Sequence, residues 1–320
     1  MDKEGEIARG ENLMGNETLV KDRMSGLGGS DAGVIAGLSP YKSPAVLYYE
    51  KIGDLPIEPL ESEAVEWGNR LEGIVAEAYT DKTGRQIRTQ PRKAHPAHDW
   101  MLANVDRQII GDPRGPGILE IKTTNTFMLK DWEKGLPDSA MLQLQHYLAV
   151  YGYSWGSIAV LIGGQNFRTF DIERDEGMIH FLIELEEAFW HRVKTRNPPT
   201  LEWDANTADL MKRLYPRHSI ETKQFGPEAD TFIHRFVDGR EMIKTGEALK
   251  AEGEAWIKAN MGTAGNAETA THKISWINNK DGSRFDQVKF KAEQPALFEQ
   301  YQTIAPGPRV FRLTERKGKP

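Results

Sequence analysis

The octapeptide Gly117-Ile118-Leu119-Glu120-Ile121-Lys122-Thr123-Thr124 sets two opposite charges into an apolar, β-branched run. On a strand, successive side chains alternate between faces, so Glu120 and Lys122 share one face while Leu119 and Ile121 turn to the core. A carboxylate and an ammonium side by side at a strand end suit phosphodiester hydrolysis. The carboxylate can hold a hard divalent cation, and the ammonium can position and polarise an attacking water or steady developing charge. An isolated Glu-x-Lys more often marks a solvated face, so the neighbouring segments carry the decision.

Upstream, Asp112-Pro113-Arg114-Gly115-Pro116-Gly117 is a turn, and Ala103-Asn104-Val105-Asp106 leads into a strand over 106–111. Asp106 and Glu120 then lie on neighbouring strands and could flank one magnesium ion. Further strands are predicted over 85–90, 100–104 and 117–122. Downstream, residues 138–151 read as a helix carrying Gln143 and Gln145, followed by strands over 155–162 and 166–172 joined at Gly163-Gly164. A helix over 175–195 ends before Asn197-Pro198-Pro199. Ahead of the strands, Ser30 is predicted to cap a short helix, and Ser43-Pro44 reads as N-cap and first turn of another, with Gly53 past its end. A longer helix over 63–82 places Trp67, Leu71, Ile74, Val75 and Ala78 on its apolar stripe and contains Glu72. The order is helices, a run of strands, helix, two strands, helix: an α/β sandwich with a mixed central sheet flanked by helices.

The domain comprises residues 1–200, with 1–20 as a mobile arm. Residues 201–320 form a C-terminal extension: a helical segment near 205–214, a long charged helix over 228–260, and a small β tail with strands near 272–277, 284–290 and 308–313. With no cysteine, disulfides, thiolate metal sites and cysteine nucleophiles are excluded. The polar N-terminus lacks a signal-peptide core, and no run approaches the roughly 18 apolar residues of a membrane span, so a cytoplasmic chain without membrane contact is expected. A net charge of −6 weighs against a broad basic footprint for nucleic acid. It does not exclude a carboxylate site, whose local sign a divalent ion inverts.

Taken in order, these segments resemble the PD-(D/E)XK nuclease superfamily, and more closely its YqaJ-type viral recombinase, or lambda exonuclease-like, family. The resemblance rests on Gly28-Gly29-Ser30-Asp31, Gly37-Leu38-Ser39-Pro40-Tyr41, Lys51-Ile52-Gly53, Trp67-Gly68-Asn69-Arg70-Leu71-Glu72, Ala103-Asn104-Val105-Asp106, Leu119-Glu120-Ile121-Lys122-Thr123 and Gln143-Leu144-Gln145-His146-Tyr147. The name-giving Pro-Asp is Val105-Asp106 here, a change the metal tolerates because it needs only the carboxylate.

The resemblance implies a PD-(D/E)XK core and a Mg2+-dependent nuclease, with Mn2+ able to substitute. Asp106, Glu120 and the Ile121 carbonyl would be metal ligands, with Glu72 a further carboxylate near a second metal. Lys122 would position the water. One glutamine, Gln145 in preference to Gln143, would orient Lys122 or a phosphate, although Gln143 with Tyr147 fits the family's Q-x-x-x-Y spacing. Arg23 and Ser30, seven positions apart, would bind the 5′-phosphate of a DNA end. The implied activity is 5′ to 3′ digestion of double-stranded DNA ends to leave 3′ overhangs for a single-strand annealing protein, by a homo-oligomer, expected to be a trimer. An endonuclease or end-trimming nuclease of the same fold, or a non-catalytic DNA-end scaffold, are the alternatives. His95, His98 and His146 lack metal-ligand spacing and are assigned no catalytic role.

Overall fold

A computed structural model describes residues 23–57, 63–201, 203, 205–303, 305 and 307–314. The expected arm over 1–20 lies outside the described residues. The chain divides into two compact units, the first reaching to Pro216 and the second beginning at Arg217.

In the first unit, β1 (Leu27–Gly28) runs into α1 (Gly29–Ile35), then α2 (Pro44–Lys51) and α3 (Glu63–Thr83). Short strands follow: β2 (Gln86–Arg88), β3 (Lys93–Ala94), β4 (Met101–Ala103) and β5 (Arg107–Ile110), leading to the long β6 (Gly117–Thr124). After α4 (Leu129–Lys134) and α5 (Asp138–Tyr151) come β7 (Trp155–Ile162), β8 (Asn166–Glu173), α6 (Glu176–Thr195) and α7 (Ala205–Leu214). The main sheet has five strands in the order β2-β5-β6-β7-β8, with β6 and β7 parallel and the other pairs antiparallel. It is the expected mixed sheet. A second sheet, β1-β4-β3, was not foreseen, because two-residue strands carry no readable alternation.

Both faces of the sheet are covered. Ile118, Ile158, Val160 and Ile162 share a core with Leu144 and Leu148 of α5. On the other face Leu119, Ile121, Trp155 and Ala159 pack with Val75, Ala76 and Tyr79 of α3. The stripe predicted for α3 is therefore out of phase: Val75 is buried, but Trp67 and Ile74 are exposed, and Ala76 and Tyr79 turn inward.

Local chemistry explains most boundaries. Ser43 Oγ accepts the Val46 N–H ahead of Pro44, as expected of a cap. Gly163 and Gly164 both take positive φ, 60° and 73°, which a tight hairpin requires and side chains resist. Ser30 is a correction. Gly28 precedes the first turn of α1, its N–H donates to Asp31 Oδ2, and Ser30 sits exposed at the second helical position.

In the second unit, α8 (Glu228–Met261) is followed by the hairpin β9 (Asn266–Glu268) and β10 (Lys273–Ser275) and by α9 (Gln287–Glu293) and α10 (Pro295–Gln300). The long charged helix is as expected. The strand predicted near 284–290 is instead largely helix, started by Asp286, whose carboxylate accepts the Lys289 N–H. Residues 308–313 form no regular element. Among the described residues no helix is long and apolar enough to cross a membrane.

Candidate active site

β5 pairs with β6 only as far as Arg107 opposite Leu119, which leaves the β5-side edge of β6 open beyond that point. Asp106, one residue before β5, fills the gap with its side chain: Oδ2 accepts the Ile121 N–H at 2.7 Å. In an extended strand the N–H and C=O of one residue point to the same edge, so the Ile121 carbonyl is turned toward Asp106 as well. Alternation sends Glu120 and Lys122 to the α5 face. There Lys122 Nζ lies 2.7 Å from Glu120 Oε1 and donates to Gln143 Oε1 at 2.8 Å. Gln143 Nε2 donates to Glu120 Oε1 at 2.7 Å and to the Tyr147 hydroxyl at 3.1 Å. One amide thus satisfies an ammonium with its oxygen and a carboxylate with its nitrogen, which fixes both charged groups.

Glu120 is only 4% exposed, and its Oε2 is buried with no hydrogen-bond partner. A carboxylate oxygen left this way is costly unless something positive meets it. The Asp106 carboxyl is pushed up to about 7, first by burial and then by the charge of Glu120, with Glu72 adding to it; the Ile121 N–H and Lys122 work the other way. Burial, then the charge of Glu120, also raises the Tyr147 hydroxyl well above its ordinary range. An orphaned buried oxygen and a carboxyl driven toward neutrality by its neighbour are both relieved by a hard cation. Two carboxylates and a main-chain carbonyl are donors that such a cation takes. The residues fit a divalent ion. Among the described residues no group of three or more His, Asp or Glu side chains gathers as a ligand cluster.

Glu72 reaches the sheet from α3, on the stripe that continues through Val75, Ala76 and Tyr79, but its Oε1 is held by Arg107 Nη1 at 2.7 Å. Gln145 is a second correction. Its Nε2 donates to the Glu173 carbonyl and its Oε1 accepts the Asp175 N–H, so it ties α5 to the end of β8 and does not meet Lys122. Gln143 does. Ser30 lies beside Gly29, where an added Cβ would sit 2.5 Å from the Tyr147 ring, so the start of α1 abuts the residue that supports Gln143. Arg23 is exposed and lines a cavity of about 480 Å³ with Ser39, Lys42, Ser43 and Arg213.

Two features escaped the sequence. Arg107 was overlooked, although it directly follows Asp106. Lys51, buried, pairs with Asp31 at 2.8 Å and donates to the carbonyls of Arg23 and Gly26 at 2.6 and 2.7 Å, pinning the segment that precedes α1. Both partners stand in motifs quoted above, but nothing in their spacing said that they meet.

A family model, the YqaJ-like viral recombinase domain, matches residues 19–154. The YqaJ protein of Bacillus subtilis (strain 168) is 32% identical over 311 residues, spanning 93% of this chain and 94% of that protein. The chain belongs to the YqaJ-like viral recombinase family. The match to Bacillus YqaJ extends across both units of the fold. Among solved structures, the alkaline exonuclease LHK-Exo of Laribacter hongkongensis is similar at 21% identity and a TM-score of 0.47, over 56% of this chain and 93% of that one. A phage-related exonuclease from Haemophilus somnus 129PT is similar at 14% identity and a TM-score of 0.38, over 53% and 94%.

Proposed function

We propose that this YqaJ-family chain is a magnesium-dependent DNA nuclease that digests duplex ends 5′ to 3′ and leaves 3′ single-stranded overhangs. The observation that carries the reading is the buried, unpartnered Oε2 of Glu120 beside Asp106, with Lys122 held next to it. Asp106, Glu120 and the Ile121 carbonyl would hold the ion, Mg2+ or Mn2+ in its place. When bound, the ion supplies charge neutralisation at the scissile phosphate and a more acidic water. The chain does the rest. Gln143 and Glu120 fix the Lys122 ammonium, whose remaining proton donor is free to orient a water or meet a phosphate oxygen. Arg23 and Ser30 would take the 5′-phosphate: the Ser30 hydroxyl is exposed and is not used as the helix cap. Family membership supports a role in recombination, with the overhang passed to a single-strand annealing protein and a trimer as the working assembly. Residues 1–200 would form the nuclease domain and 201–320 its extension, although the compact unit that holds the site runs on through α7 to Pro216.

The test is incubation with linear duplex carrying a 5′-phosphate or a 5′-hydroxyl, and with covalently closed circles, in Mg2+ or in chelator. The proposal expects mononucleotide release from phosphorylated linear ends only, and none in chelator. Equal digestion of circles would replace exonuclease by endonuclease, and activity in chelator would remove the metal.

A further inference from the structure

The long helix α8 of the second unit carries a seven-residue repeat. Gly239, Gly246 and Gly253 recur at that interval, and Met242, Leu249 and Trp256 follow them three positions on. Alternating steps of three and four lay these six residues along one stripe of a helix, the pattern of a coiled-coil seam. The stripe is open. A Cβ added at any of the three glycines would meet no atom within 4 Å outside the helix's own backbone. Met242, Ile243, Leu249 and Trp256 are between 64% and 74% exposed. The outer face, by contrast, settles charges within the helix, Lys244 with Glu241 and Lys258 with Glu254. A glycine inside an exposed helix is destabilising and fills no space, so three in register point to a neighbour that comes close.

What fits against this seam is its own sequence reversed. A two-fold interface brings residue i against residue j and j against i. With the axis midway between Gly246 and Leu249, Gly246 faces Leu249, Gly253 faces Met242, and Gly239 faces Trp256 of a second copy. Each gap left by a glycine thus receives a large side chain. The charges agree as well: Asp238, Glu252 and Lys250, which border the seam, come opposite Ala259, Thr245 and Ile243, so no like charges meet. A parallel pairing would instead set glycine against glycine and tryptophan against tryptophan. The four exposed apolar side chains offer on the order of 500 Å² per chain, so a symmetric pair buries about 1,000 Å², the least that a stable interface needs.

We propose that α8 pairs with α8 of a second copy of this chain as an antiparallel two-stranded coiled coil, with its two-fold axis between Gly246 and Leu249. The pairing belongs to the second unit and is independent of the nuclease reading.

The chain has no cysteine of its own, so single cysteines report the geometry directly. The two copies of Thr245→Cys would stand about 8 Å apart along the helices, and those of Ala259→Cys about 35 Å apart. A short bis-maleimide on the full chain is expected to join Thr245→Cys in pairs and to leave Ala259→Cys unjoined. Linking of both variants alike would mean a parallel arrangement, and linking of neither would mean no pairing; each overturns the proposal. In sedimentation equilibrium, wild type is expected to hold an even number of chains and Gly246→Leu half as many. That substitution improves the helix and adds apolar surface, so an unspecific association would persist or grow, whereas a seam that needs the gap is blocked. A mass unchanged by Gly246→Leu, or an odd number of chains in wild type, would overturn the proposal. Neither readout involves metal or DNA, so failure here leaves the nuclease reading untouched.

Discussion

The site turns on single side chains whose partners differ sharply although they are close in sequence. Gln143 joins Lys122, Glu120 and Tyr147, whereas Gln145, half a helical turn away, holds the end of β8. Gln143→Ala should lower kcat on the order of 10²-fold with DNA binding kept. Gln145→Ala should leave kcat nearly unchanged and cost about 1–3 kcal/mol of stability, because it orphans the Glu173 carbonyl and the Asp175 N–H. Steady-state kinetics with urea unfolding on both variants separates the two roles, and the reverse pattern would reinstate Gln145. Only the Gln143-x-x-x-Tyr147 spacing set them apart in the sequence, because α5 is buried on every side from Leu142 to Tyr151 and so has no polar face to set its phase. Glu120 and Lys122 were legible because alternation on a strand leaves no such freedom. Asp106 gives a pH test. Its folded-state carboxyl lies near 7 against an ordinary 3.8, so the folded state retains a proton that the unfolded chain has lost. Metal-free stability from this group is full below about 4, is lost as pH rises toward 7, and is flat above. In chelator, urea midpoints of wild type should fall across that window, and those of Asp106→Asn should not. Parallel curves would contradict the burial and charge argument.

At the scale of elements, length decided what could be read. The eight-residue strands β6, β7 and β8 and the long helices were foreseen within a residue or two, while β1 and β3 are too short to show a period. α3 was placed but misphased, and its own chemistry explains why. Glu72 occupies the sheet-facing stripe with Val75, Ala76 and Tyr79, so the stripe is broken by a charge, while Trp67 and Ile74 lie exposed outside it and draw the reading round the helix. Val75→Ala should therefore cost about 1–3 kcal/mol, and Ile74→Ala should stay within about 0.5 kcal/mol, by chemical denaturation. Equal costs would return the helix to the phase first predicted.

Across the whole molecule, a buried pair that no spacing along the chain announces ties α5 to α6 in the first unit. His146 of α5 and Glu186 of α6 are both fully buried, 2.8 Å apart, and the other ring nitrogen of His146 meets the Leu102 carbonyl at 2.9 Å. With Glu186 ionised, both nitrogens face acceptors, an arrangement that favours the protonated ring. Burial pulls its pKa down, but the charge and hydrogen bond of Glu186 and the Leu102 carbonyl outweigh it, and the net shift is upward from 6.5. Stability from this pair is complete below 6.5 and declines as pH rises through the higher folded value. His146→Gln should cost about 3–5 kcal/mol at neutral pH and abolish that alkaline decline in thermal melts. An undiminished decline would assign it to other groups. The order of motifs made the family readable from the first unit, whereas the charged, exposed second unit gave only its long helix and the strand near 272–277 correctly. All of this scaffolding serves one claim, that the Lys122 ammonium, fixed by Gln143 and Glu120, takes part in cutting DNA. Its most direct test is Lys122→Ala on 5′-phosphorylated linear duplex with Mg2+, scoring nucleotide release and DNA binding in the same samples. The account predicts unchanged binding with cleavage down on the order of 10³-fold; cleavage within about tenfold of wild type by a variant that still binds would contradict it.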